Sequence, residues 1–140
     1  MSAKHLLMAL FALGILTSTE CRGSRPIINP KMVGTWEIPK GSHKRTYKSD
    51  GTFESWSRGS IRGYKNVEIF RTGTWRLHGD MLSSTNGSQR ATRDGKPFPE
   101  LFEEIGTKLG ETHTGAIAWR DADSWTFKEL KTGYYVRVKP

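Results

Sequence analysis

The chain has a single cysteine, Cys21, so no disulfide can form within it and the fold must stand on its core alone. It also lacks an apolar run of about twenty residues, the length a helix needs to cross a bilayer. The apolar stretch at residues 6–16 is eleven residues long and sits near the N-terminus. Leucine is scarce after residue 16, which argues against a mostly helical protein. Past the first twenty residues the histidines are His43, His78 and His113, each isolated, with no pair at metal-ligand spacing. Glu103 and Glu104 are adjacent and would point in different directions on a helix, so they make no acid/base pair. Asp121 and Asp123 lack the glycine and closing glutamate of a calcium loop. There is no glycine-rich phosphate loop, and no serine or cysteine nucleophile in a recognisable setting. The expectation is therefore no catalysis, no metal and no cofactor.

What is present favours β structure. Fifteen glycines, five tryptophans, four tyrosines and six phenylalanines suit short strands joined by tight turns. One triplet occurs twice, Gly34-Thr35-Trp36 before Glu37-Ile38 and Gly73-Thr74-Trp75 before Arg76-Leu77. In each copy glycine, tryptophan and an aliphatic residue alternate with polar ones, the period of a strand with one buried face. Trp36 and Trp75 are expected to meet as plugs of a single core.

The N-terminus reads as an export signal over residues 1–20: Lys4 and His5, the apolar residues 6–16, then Thr17, Ser18 and Thr19. Cys21 follows directly, where bacterial lipoproteins carry the cysteine that is acylated and becomes the new N-terminus. Ser18 and Glu20 depart from the usual residues of that signal, and the competing reading is ordinary cleavage near Thr19 with Cys21 left as a free thiol. Both readings stay open. Residues 21–30, with two prolines and a glycine, read as a flexible tether, and the folded domain is placed at residues 31–140. About 110 to 120 residues after the leader suffice for one core.

Along that domain strands are expected at residues 33–38, 43–48, 52–57, 64–72, 73–77, 81–85, 89–92, 113–120, 123–129 and 133–138. Turns are expected at residues 39–42, 49–51, 58–63, 78–80, 86–87, 94–95, 121–122 and 131–133. Phe53 and Trp56 fall on opposite faces of their strand. One helix interrupts the series near residues 99–109, because Leu101, Phe102, Ile105 and Leu109 recur at helical spacing after Pro99, and Gly106 or Gly110 would end it. It would plug one end of a barrel, cover a sheet edge or act as a lid. The fold class expected is mainly β: an antiparallel up-and-down barrel of about eight strands, with that helix inserted.

The order of motifs resembles the lipocalin-like domains of small exported bacterial proteins. The resemblance rests on Gly34 and Trp36, on Tyr47 before the turn Asp50-Gly51-Thr52, on Gly73 and Trp75 followed by Leu77, Gly79, Asp80 and Leu82, and on Tyr135 and Arg137. It spans residues 33–85 and 113–138, while residues 86–112 form an insertion. It implies a barrel with an interior site for a small apolar or amphipathic ligand. Tyr47, Phe53, Phe70, Trp119, Trp125, Phe127 and Tyr135 are the remaining large residues from which such a pocket could be lined. Arg137 has two roles open to it, pairing with a ligand carboxylate or capping the core through a tryptophan ring.

The formal net charge is +8, carried by scattered lysines and arginines. It leaves two alternatives to a carrier. One is an envelope interaction module contacting anionic membrane or cell-wall polymer, the other an oligonucleotide-binding type barrel with bases stacked on Trp56 and Trp119. Export disfavours nucleic acid as partner. A monomer is expected, in the periplasm or attached to the outer membrane through Cys21 if that residue is lipidated, otherwise secreted.

Overall fold

Alternating apolar residues and hairpin turns build one antiparallel sheet that meets itself. The structure, a computed structural model, describes residues 28–130 and 133–140. The expected leader, Cys21, most of the expected tether, and turn residues Lys131 and Thr132 lie outside them. The elements are β1 (Gly34–Glu37), β2 (His43–Tyr47), β3 (Thr52–Ile61), β4 (Tyr64–His78), β5 (Met81–Arg93), β6 (Lys96–Pro97), α1 (Leu101–Ile105), β7 (Thr112–Asp121), β8 (Ser124–Phe127) and β9 (Tyr135–Arg137). The strand order is β4-β3-β2-β1-β9-β8-β7-β5-β6, and β4 also pairs with β5, so eight strands ring into a barrel-like shape with β6 hydrogen-bonded outside it. Closure leaves few unpaired backbone groups at an edge.

One end of the ring is filled by aromatic side chains. Trp36 and Trp75 belong to the same buried cluster, with Tyr47, Trp125 and Tyr135 between and around them. The Trp125 and Tyr135 rings stack at 4.4 Å, and Trp75 meets Tyr47 at 5.2 Å. The indole N–H groups of Trp36 and Trp75 donate to the Met32 and Lys48 carbonyls at 2.8 and 3.0 Å, so both rings are buried with their polar atoms satisfied. Ile28 packs against this cluster although it falls within the stretch expected to be a tether.

The seam between β1 and β9 has only two residue pairs in register, Trp36 with Arg137 and Glu37 with Val136. Arg137 reinforces it. Its guanidinium carbon lies 4.2 Å from the centre of the Trp36 ring, and its nitrogens donate to Val33 O, Lys31 O and Asp123 Oδ1 at 2.8, 2.8 and 3.0 Å. Gly34 makes room for it: φ is +137° there, and a Cβ would stand 2.6 Å from Arg137 Nη1.

Several local expectations are corrected. Asn86-Gly87 is no turn; β5 runs through it to Arg93, with a register shift opposite Thr72 and Gly73. Asn86 is buried, its N–H donates to Glu111 O at 3.1 Å, and Gly110 N–H donates to its carbonyl at 2.7 Å, so the pair forms a bulge pinned by a neighbouring loop. Gly73 joins the two expected strands into the fifteen-residue β4, where an added Cβ would collide with Thr85 O and the Phe53 ring. The expected loop at residues 58–63 is mostly strand, since β3 continues to Ile61 and the chain turns only at Arg62-Gly63. Of the two expected stops the helix uses the earlier: Gly106 enters the left-handed region at φ 71° and ends it after five residues, short of the expected span to residue 109. Leu101 is fully buried on Val67, Ile69 and Ala91, so α1 covers the inner face of the long β3–β5 extension.

Trp75→Ala is expected to cost about 3–5 kcal/mol of stability, because it empties a packed core site and removes one of the two hydrogen bonds to the Lys48 carbonyl, the other coming from Gly51 N–H. Thermal unfolding checks this: a large fall in melting temperature is expected, and an unchanged one would show that Trp75 is not a core plug.

Candidate functional site

Cross-strand register places a polar layer between the aromatic end and the helix-covered end. Residues directly opposite in antiparallel pairs share a face. Arg137, Trp36, Arg45, Ser55, Arg71 and Gln89 form one such row across β9, β1, β2, β3, β4 and β5. Two positions toward the aromatic end lie the buried Tyr47 and Phe53; two positions the other way lie His43, Ser57, Ile69 and Ala91. The middle row therefore carries three arginines, Arg137 over Trp36 at the seam and Arg45 and Arg71 farther round the ring, between the aromatic layer and a mixed layer of His43, Ser57, Ile69 and Ala91.

A cavity of about 440 Å³ opens at this level. Its polar wall comes from Arg45, Ser55, Arg71, Ser84, Asn86, Thr107, His113 and Thr114, with the exposed Glu129 at its rim, and its apolar wall from Phe53, Leu82, Ala116, Phe127 and Leu130. Gly115 also lines it, and a Cβ there would stand 3.0 Å from the Phe127 ring, so glycine lets that ring lie close to β7.

The hydrogen bonds assign the state of His43. Arg45 Nε donates to His43 Nε2 at 3.0 Å, so that nitrogen is an acceptor; Nδ1, 2.5 Å from Ser57 Oγ, then carries the proton and donates. The pKa of His43 is pushed down to about 4, first by burial and then by the Arg45 and Arg71 charges. A neutral imidazole thus holds one edge of Arg45. On its other side Arg45 Nη1 donates to Tyr47 Oη at 3.3 Å. Arg71 is less well matched: its Nε is buried without an acceptor, and Nη2 makes only a 3.4 Å contact to Thr107 Oγ1. Burial, then the Arg45 charge, lowers the Arg71 pKa.

The expected site residues separate into three groups. Phe53 and Phe127 line the cavity. Tyr47, Trp119, Trp125 and Tyr135 pack in or against the aromatic cluster, and Arg137 caps Trp36, with its donors already bonded to Val33, Lys31 and Asp123. Phe70 is paired with Arg90 across β4 and β5, its ring 5.6 Å from the guanidinium, away from the cavity residues. Sequence reasoning missed His43, Ser55, Arg71 and Gln89 as a group. The available signal was the alternation His43-x-Arg45-x-Tyr47, which sets a histidine and an arginine on the face of a buried tyrosine. Among the described residues no group of three or more His, Cys, Asp and Glu side chains comes together as a metal site would require. No protein-family model matches the sequence, and no curated protein matches it.

His43 gives the fold an acid sensitivity with a defined sign. Its folded pKa, about 4, lies below its ordinary value of 6.5, so between these values the unfolded chain takes up a proton that the folded chain refuses. Stability should fall as pH drops through that window, by on the order of 2 kcal/mol at pH 4.5, and His43 should contribute nothing above it. The groups facing it are Arg45, Arg71, Ser57 and Tyr135, none of which changes charge there. In His43→Gln, denaturant unfolding at pH 7 and pH 4.5 should differ less than in the parent. An equal difference would contradict the assignment.

Proposed function

We infer that this chain is an exported lipocalin-like protein that holds a small apolar or amphipathic molecule inside its ring of strands and performs no catalysis. The observation carrying this reading is the half-filled interior. Trp36, Trp75 and Trp125 fill one end, yet a cavity of about 440 Å³ persists beyond them, within the range of small-molecule sites. Its mixed lining suits a ligand with an apolar body and a polar group. Two further features agree: the contact of Arg137 with Trp36, which uses the same residues as the lipocalin-like motif pattern, and the apolar leader at residues 6–16, which supports export.

A second reading has its own support. Arg62, Lys65, Arg93 and Lys96 are exposed around the far end of the β3–β6 extension, where they could contact anionic lipid or cell-wall polymer without any internal ligand. The two readings separate in one comparison. A neutral fluorescent probe, N-phenylnaphthylamine, should bind saturably at one site, and Ser84→Phe, which fills the cavity from β5, should weaken it at least tenfold with little change in melting temperature. No probe uptake, together with binding to anionic vesicles that falls steeply with salt, would favour the surface module instead.

A further inference from the structure

We propose that the cavity takes an anionic amphiphile, its carboxylate seated on Arg45 and Arg71 and its apolar chain lying against Phe53, Leu82 and Phe127. This rests on the carrier reading above and adds the chemical class of the cargo.

The first ground is the company these arginines keep. Among the described residues, neither makes an ion pair, whereas Arg58 pairs with Glu68 and Arg137 with Asp123. The described hydrogen-bond partners of the Arg45 and Arg71 guanidiniums are a neutral imidazole, a tyrosine hydroxyl and a threonine hydroxyl, and the guanidiniums stand 5.9 Å from the Phe127 and Tyr135 ring centres and from the Phe102 ring centre respectively. Two half-buried guanidiniums beside one another, with no described carboxylate within ion-pair distance although Glu129 stands at the cavity rim, oppose folding through partial desolvation and mutual repulsion. Burial and the Arg45 charge lower the Arg71 pKa, whereas that of Arg45 is raised, its burial being outweighed by Tyr47 and Tyr135, so Arg71 is the less well accommodated of the two. A monoanion placed between them offsets both the desolvation and the repulsion.

The second ground is geometry. Arg45 and Arg71 stand directly in line across β3, each opposite Ser55, so their Cα atoms are about 10 Å apart at the usual strand spacing and their long side chains reach the same space. Both line the cavity. Three buried side-chain polar atoms lack a partner among the described residues, Arg71 Nε, Gln89 Oε1 and Trp125 Nε1, and of these residues Arg71 lines the cavity: with the weakly bonded Nη2, its Nε forms the side edge of a guanidinium, which a planar carboxylate accepts through two parallel hydrogen bonds. Arg45 has its Nε and Nη1 occupied, which leaves Nη2 to reach the same head group. Below this level the wall turns apolar at Phe53 and Leu82, and Phe127 and Ala116 continue it on the facing strands, so a chain attached to the carboxylate has a surface to cover.

The test is a head-group series at constant chain length, measured by displacement of N-phenylnaphthylamine from the full folded domain below the micellar range of each compound. Decanoate should bind at least tenfold more tightly than decanol, decyltrimethylammonium should not compete, and acetate should bind far more weakly than decanoate. Arg71→Met should bring the decanoate and decanol affinities together while probe affinity stays within about threefold. The same variant should raise the melting temperature of the ligand-free protein, since it removes a partly desolvated cation; a merely structural arginine would lower it. Decanoate and decanol binding equally to the parent protein, while the probe binds, would overturn the anion assignment and leave the carrier reading standing. Failure of probe and decanoate alike would overturn both. Acetate binding as tightly as decanoate would reduce the site to one for small inorganic-like anions and overturn the amphiphile. Should Arg71→Met fail to fold, the parent's head-group series still decides, and Arg45→Lys, which keeps the charge but loses the planar fork, should weaken decanoate alone.

Discussion

The contact of Arg137 with Trp36 is the constraint on which the rest of the structure depends. A sheet of eight strands becomes a ring only if its first and last strands join, and here the join is short, two residue pairs between β1 and β9. One guanidinium supplies what the ladder lacks. It covers the Trp36 ring, bonds two carbonyls of the chain leading into β1, and reaches Asp123 at the start of β8, so it ties together three segments distant in sequence. Gly34 follows from that requirement, since no side chain fits where Nη1 lies. A Gly-x-Trp at the start and a Tyr-x-Arg at the end are thus two halves of one device.

Once the ring is closed, its interior divides into layers by register alone. The aromatic layer is closely packed: Trp36 and Trp75 are bonded through their N–H groups, and Trp125 stacks on Tyr135, although its own N–H is buried without an acceptor among the described residues. The apolar cluster beneath α1 is packed as well, with Leu101 fully buried on Val67, Ile69 and Ala91. Between them lies the row in which the described residues leave Arg45 and Arg71 without an ion pair. Such a layer is the natural place to look for function, because a half-buried charge without an ion-pair partner costs stability. The proposed ligand supplies that partner, and the cavity gives its chain somewhere to lie.

Much of this was legible in the residues, and the failures share a cause. Period-two alternation put Trp36 and Trp75 into one core, and Asp50-Gly51 turned where expected, with Asp50 Oδ1 accepting from Thr52 N–H at 2.9 Å. Asn86-Gly87 carries the same local preference, yet it sits inside β5, because pairing with Thr72 and Gly73 and bonds from a remote loop outweigh turn propensity. Leu109 extended the helical pattern by coincidence; it is 60% exposed and lies beyond the left-handed stop at Gly106. The site was half visible. His43, Arg45 and Tyr47 share a face by alternation, but only the long-range register of β2, β3 and β4 brings Arg71 beside them, and no local pattern encodes that register.

The most direct test of the carrier account is native mass spectrometry of the protein purified from its natural source, followed by its denatured mass and the mass of whatever is released. The account predicts excess native mass that leaves on denaturation and a released molecule with an apolar chain and one acidic head. Identical native and denatured masses across preparations, with no cargo recovered, would contradict it and leave a ring of strands whose work is done on its outer surface.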